Sequence, residues 1–335
     1  MPVVHLAFRP YAEASEEPNV VVDGSPTANT VLTLSHWPGS SDLPVDLQAD
    51  LSAQMAFRYL DRAEPLHGDA AVVSNNHFDQ DGLVSIFALA HPEEAMPRRP
   101  FLEDLAAAGD FATFRDRDAA RASMVVSAFT DADRSPLGRS PAESDDRTAW
   151  LYTEALGRLI ELVDDVERYR HLWAAEDAHL AESEAAIADG TVRIAERPDV
   201  DLAVVTVPEG RHWWGHRFGG RRYDGVHPMA LHNVTSCTAL LLVDGSYRFT
   251  YRYETWVQYR SRPVRPRVDL GPLAAALTAA DTVGWVNDPI GELTPELAPV
   301  GAAGSSLAPD IVTEMIAQHL RTSPAAFDPF TTGAR

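Results

Sequence analysis

The chain has no lysine: all 28 basic residues are arginine, set against 49 acidic ones for a formal net charge of -21. Chemistry that needs a lysine amine is thereby excluded, including the phosphate-binding loop, the pyridoxal Schiff base and the Ser/Lys nucleophile pair. Anion recognition falls instead to arginine, histidine, backbone amides or a bound cation. So acidic a chain repels a long polyanion, and no long nucleic acid is expected as a partner. The single cysteine, Cys237, excludes an internal disulfide and a Cys-rich zinc cage. No apolar run approaches the roughly 18–20 residues that cross a bilayer, and the opening "MPVVHLAFRPYAEASEE" is acidic where a secretory leader is basic. A cytoplasmic protein without a membrane partner is the expectation. The fingerprints G-x-S-x-G, H-E-x-x-H and G-x-G-x-x-G are also missing, which removes support for serine hydrolases, zincins and dinucleotide binders.

What the chain does have is enough apolar content for two domains: 335 residues, 45% of them hydrophobic. The first 95 residues alternate between strand and helix patterns, in the order "NVVVDG", "TVLTLSHWPG", "LSAQMAFRYLDRA", "DAAVVSNNHFDQDG" and "LVSIFALAHPEEA". Short β-branched runs followed by loops and amphipathic stretches predict an α/β fold, a parallel sheet with flanking helices. In such sheets ligands gather beyond the carboxyl ends of the strands. Asp23, His36 and the His77 to Asp81 segment each follow a predicted strand, so three polar loops should meet at one edge.

Residues 100–190 read as mostly helical, with Gly190 as a terminator. Strand-like "VDLAVVTVP" and "TALLLVDGSYRFTYRYETWV" follow, and Asp244-Gly245 marks a hairpin. The alternation of Tyr247, Phe249, Tyr251 and Tyr253 fits a half-buried strand. The division expected is 1–190 and 191–335, the second part a smaller α/β domain with a mixed sheet. The terminal "SPAAFDPFTTGAR" reads as a loosely held tail.

The chemistry concentrates in "SNNHFDQDGLVS", residues 74–85. Were this segment extended, His77, Asp79 and Asp81 would share one face while Phe78 and Gln80 point away. Imidazole and carboxylates together suit Mn²⁺, and an additional oxygen donor suits Mg²⁺. Gly82 permits close backbone approach ahead of a helix start. The competing reading is an Asp/Asn-rich loop whose carboxylates cap that helix. An EF-hand is excluded, because the twelfth position from His77 is Ala88.

A second constellation, "RHWWGHRFGGRRYDGVHPMALHN" at 211–233, is locally basic within an acidic chain. Arg211, Arg217, Arg221 and Arg222 supply the planar donors that phosphate recognition uses, with His227 and His232 beside them. A surface loop whose arginines pair with carboxylates elsewhere explains the same composition.

The segment "HFDQDGLVS" resembles the first motif of the DHH phosphoesterase superfamily, and "NVVVDGSPTANTVLTLSHWPGSSDLPVDLQADLSAQMAFRYL" is similar to its next portion. The match makes Asp23 the second-motif ligand and His36 the first histidine of the third motif, whose triplet reads Ser35-His36-Trp37 here. The motif order differs too, the first-motif segment coming after the other two. "YETWVQYRSRPVRPRVDLGPLAAALTAAD" looks like part of the accessory domain that follows many DHH domains. The resemblance implies a metal set of His77, Asp79, Asp81, Asp23 and His36 holding one or two Mn²⁺ or Mg²⁺ ions. It assigns Asp79, Asp81 and His36 to catalysis. The implied substrate is a small phosphate ester, nucleotide or short oligonucleotide, bound in a cleft between the domains. The alternative is a degenerate relative that binds such an anion without cleaving it. The oligomeric state is open, a homodimer being one arrangement.

Overall fold

In the computed structural model four short strands form a fully parallel sheet: β1 (Ala7–Phe8), β2 (Asn19–Val22), β3 (Thr30–Leu34) and β4 (Val72–Ser74), in the spatial order β1-β4-β2-β3. Every residue of the two central strands β2 and β4 is buried. An unbroken Val-rich run predicts this for a strand covered on both faces. The structure describes residues 5–40, 43–131, 134–137, 144–209, 225–301 and 304–331. They belong to two compact units, 1–177 and 178–335.

Helices surround the first sheet in the order α1 (Tyr11–Ala14), α2 (Ser52–Leu60), α3 (Gln80–Ala90), α4 (Pro92–Ala95), α5 (Arg99–Asp110), α6 (Arg117–Phe129), α7 (Ser144–Leu156), α8 (Leu159–Asp164) and α9 (Arg170–Ala188). The strand and helix order expected for the first 95 residues is present. The central helix is α3, buried at each residue from Gln80 to Leu89 and packed on α2 and α5. A helix apolar on all sides is stable only when enclosed in this way. Gly109 of α5 lets the two helices meet, since a Cβ there would lie 2.5 Å from Cβ of Gln80. The Gln80 amide donates to the Ser123 carbonyl at 2.9 Å and to Ser127 Oγ at 2.8 Å, which fixes the start of α3 against α6. Asp177 accepts from Arg117 at 2.5 Å and from Arg121 at 3.1 Å, so α6 also holds the first half of α9. The division between the units falls within α9, and Gly190, just beyond its end, takes φ +79°.

The second unit contains β5 (Arg193–Arg197), β6 (Leu202–Thr206), α10 (Pro228–His232), β7 (Ala239–Val243), β8 (Tyr247–Tyr251), β9 (Arg267–Val268), α11 (Gly271–Ala280), β10 (Trp285–Asn287), β11 (Glu296–Pro299), α12 (Pro309–Thr322) and β12 (Ala325–Phe327). Six of these strands make a mixed sheet, β10-β11-β8-β7-β6-β5, in which β6 and β7 run parallel and the other neighbours antiparallel. Strand alternation sends Ala239, Leu241 and Val243 into one core with Tyr247, Phe249 and Tyr251, and Leu240 and Leu242 into a second core on the opposite face. The Asp244-Gly245 turn joins β7 to β8 with Gly245 at φ +90°, a conformation glycine adopts without steric cost.

The segment read as a loose tail contains β12, which pairs antiparallel with β9. A tertiary partner decides such a short, proline-flanked strand, and local propensity does not register it. Among the described residues, no helix is long and apolar enough to cross a membrane.

Candidate metal centre

Three loops leaving β2, β3 and β4 deliver Asp23, His36 and the residues from His77 onward to the same place, as their positions after strands predict. Asp23 is 1% exposed and takes φ +46°, a left-handed backbone uncommon outside glycine. Such strain collects where a side chain must be aimed. Beside it, Gly24 sits so close to the β4–α3 loop that a Cβ would lie 2.9 Å from Asn75 Oδ1.

The donors form two groups that share Asp23. Asp23, His36, Asp81 and Asp110 make one; Asp23, His77 and Asp79 make the other, with the ligand atoms of each within 4.8 Å of one another. In the first, His36 Nε2 lies 3.3 Å from Asp23 Oδ1, 3.5 Å from Asp110 Oδ2 and 3.8 Å from Asp81 Oδ2. In the second, His77 Nε2 lies 2.8 Å from Asp79 Oδ2 and 3.4 Å from Asp23 Oδ2. The side chains of His77 and Asp79 are each 32% exposed, whereas His36 and Asp81 are sealed at 0%.

The supports explain how each donor is aimed. His36 Nδ1 bonds the carbonyl oxygen of Asp50, which fixes the ring so that Nε2 faces the carboxylates. Ser52 Oγ donates to Asp23 Oδ1 at 2.9 Å. Leu51 precedes α2 without a capping side chain, and Asp81 acts in its place from another helix. Its two oxygens accept the Ser52 and Ala53 amides at 2.8 and 2.7 Å. Asp79 caps its own helix, taking the Gly82 amide on Oδ1 at 2.8 Å while Oδ2 stays toward His77. The capping reading of this loop is therefore realised through Oδ1 of Asp79, and Oδ2 is left as the oxygen that could serve as a ligand. Trp37 stacks on His77 with centroids 5.2 Å apart, and Tyr152 of α7 donates to the His77 carbonyl at 2.7 Å.

The expected single face of His77, Asp79 and Asp81 is not what forms. Helix α3 begins at Gln80, so the two-residue alternation of an extended chain stops before Asp81, which joins the His36 group instead. Asp110, the last residue of α5, was not singled out in the sequence. Its signal was an acid in a helix's final turn, where the macrodipole disfavours it.

Crowding sets the charges. Burial, then the nearby charge of Asp23, pushes the Asp81 carboxyl up to about 8. Burial works against ionised Asp23 as well, yet hydrogen bonds with His36 and His77 hold it well below the usual carboxylate range. Both imidazoles are raised despite burial, His36 by its bond to Asp23 and by the Asp81 charge, His77 by the charge of Asp79 and its bond to Asp23. Asp23 Oδ2 is buried and faces His77 Nε2 at 3.4 Å. An imidazole and carboxylate donor set around such an oxygen fits a hard or borderline divalent ion.

The chain belongs to DUF6687, a family of unknown function. The family model matches residues 4–331, so the match takes in the centre and all but the first three and last four residues of the two units of this DUF6687 chain. No curated protein and no solved structure matches it.

The other sequence candidates belong to the second unit or fall outside the described residues. Arg211, Arg217, Arg221 and Arg222 fall within 210–224, outside them. His227 is fully buried and caps α10, its Nδ1 accepting the Met229 amide at 3.1 Å, while His232 is the last residue of the same helix. These placements give both histidines a local structural setting in the second unit.

Proposed function

We propose that this chain is a divalent-metal-dependent phosphoesterase, related to the DHH superfamily, that hydrolyses a small phosphate ester, nucleotide or short oligonucleotide. The supporting observation is the sharing of Asp23 between two donor groups, Oδ1 toward His36 and Oδ2 toward His77. Asp23, His36, Asp81 and Asp110 would hold one ion, and Asp23, His77 and Asp79 a second. Mn²⁺ suits these donors best and Mg²⁺ is the runner-up, because imidazole is a better ligand for the softer ion. Cations held there supply Lewis-acid chemistry, acidifying water and neutralising phosphoryl oxygens.

The residues themselves position and exclude. Asp50, Ser52 and the α2 amides orient the buried donors before any substrate arrives, so little reorganisation remains at the moment of reaction. His77 and Asp79 are the donors open to solvent and are where a phosphate would approach. Arg211, Arg217, Arg221 and Arg222 remain the proposed phosphate-recognising residues on the composition of their segment. A cytoplasmic setting belongs to the same proposal.

Ser35 and Trp37 favour a second reading, because they stand where the DHH triplet has an acid and a histidine. A protein that binds the anion without cleaving it would tolerate that change. Assay of the purified chain with Mn²⁺ on bis(p-nitrophenyl) phosphate separates the two. Hydrolysis abolished by Asp23→Asn and Asp79→Ala supports the enzyme; ligand-induced thermal stabilisation without product supports the binder. Turnover unaffected by both substitutions removes the assignment.

A further inference from the structure

The two donor groups differ in closure. The first presents four protein donors, with Asp23 1% exposed, His36 0%, Asp81 0% and Asp110 7%. They come from the β2–β3 loop, the segment after β3, helix α3 and the end of α5, four places far apart in the chain. The second presents three donors, two of them one-third exposed. In zinc proteins structural sites are closed by protein ligands, while catalytic sites keep a position for water or substrate, and the same contrast in closure separates these two groups.

We propose that the centre divides its labour: the buried position of Asp23, His36, Asp81 and Asp110 retains a fold-supporting ion, and the open position of Asp23, His77 and Asp79 takes an exchangeable, substrate-facing one. The inference rests on the metal-dependent reading above and adds to it a role in stability. A cation at the buried position would cross-link β2, β3, α3 and α5, of whose donors His36, Asp23 and Asp81 are already oriented by Asp50, Ser52 and Ala53. Removing it would leave three carboxylates in a space closed to water. Release from there requires the packing of α3 to open, whereas release from the open position does not. Retention and stability should therefore both follow the buried position.

The test uses the full chain loaded with Mn²⁺, desalted into metal-free buffer and subjected to elemental analysis and thermal melting. One ion per chain is expected to remain while the other is lost, and stripping the retained ion with EDTA should lower Tm by roughly 5–10 °C. Asp110→Asn should abolish retention and the EDTA effect; His77→Ala should leave both intact. Retention of both ions, loss of both, or an equal effect of the two substitutions overturns the division of labour while leaving metal-dependent hydrolysis in place. Should Asp110→Asn fail to fold, the desalting and EDTA measurements on the unmodified chain still decide. Failure of the unmodified chain to take up Mn²⁺ at all removes the proposed function as well.

Discussion

Tyr152 donates its hydroxyl hydrogen to the carbonyl oxygen of His77 at 2.7 Å from a fully buried position. Its ring is held by Phe8 at 5.2 Å and Phe78 at 5.0 Å, so the hydroxyl has little freedom to point elsewhere. This contact fixes the backbone from which the His77 imidazole reaches Asp23 and Asp79. Tyr152→Phe keeps the ring packing and removes only the bond, at a stability cost of about 1 kcal/mol. Supporting contacts of this kind change metal affinity by about 10–100-fold. Titration of the variant with Mn²⁺ should show the open position weakened by that order and the buried one unchanged. A lowered Tm with both affinities intact would mean that the hydroxyl serves packing alone.

Asp81 and Asp79 look equivalent in the sequence and do different structural work. Asp81→Ala would strip the α2 amides of Ser52 and Ala53 of their acceptor inside the core, at about 1–3 kcal/mol for each donor left unsatisfied. Asp79→Ala removes one local helix cap, worth about 0.5–2 kcal/mol. Denaturation in the presence of EDTA, which silences any metal contribution, should rank Asp81→Ala as clearly the more destabilised. Equal midpoints would contradict the cross-helix capping role of Asp81.

Both losses bear on what could be read in advance. The strands leading to Asp23 and His36 were legible because short β-branched runs followed by polar loops mark the strands of a parallel sheet. His77 and Asp79 were legible because they follow such a run closely. Asp110 was not, since its one cue, an acid after "AAAG" where a helix's last turn disfavours it, names no partner until α5 is laid beside His36. Nor was the partition of the donors, which depends on α3 starting one residue before Asp81. Helix boundaries are set by capping bonds such as the one from Gly82 to Asp79, a matter of one or two residues that periodicity does not resolve.

Gly82 marks how tightly the loop and α3 are packed. A Cβ there would lie 2.5 Å from Tyr152 Oη and 3.2 Å from Asp79 Oδ1, and it would collide with the Asn75 amide. Alanine gains about 1 kcal/mol over glycine as a helix former. Overpacking a filled interior costs about 1–3 kcal/mol. Because Tyr152 and Asn75 are themselves buried, neither yields easily, and the overpacking term should prevail. Gly82→Ala is expected to lower the urea midpoint and to weaken Mn²⁺ binding at His77 and Asp79 in the same titration. A variant as stable as the parent would show that Tyr152 has room to retreat.

The coupled titration of the cluster predicts opposite pH trends for metal-free and metal-loaded protein. With Asp81 raised from 3.8 to about 8, the folded chain keeps a proton that the unfolded chain has already released across that window. Metal-free stability contributed by Asp81 therefore falls as pH rises between those values. His36 and His77, raised above 6.5, act in the same direction: their contribution is complete below 6.5 and is lost as pH climbs through their folded-state values. Asp23 is lowered, so its contribution is complete above 3.8 and lost only in stronger acid. The EDTA-treated protein should accordingly be most stable in the mildly acidic range between the carboxylate and imidazole values and weaken toward pH 8. A bound cation needs all of these donors deprotonated, so its affinity rises over the same interval. Melting curves at a series of pH values, with and without Mn²⁺, should show a Tm gap that widens from pH 6 to pH 8; a gap independent of pH would separate metal binding from the protons of this cluster.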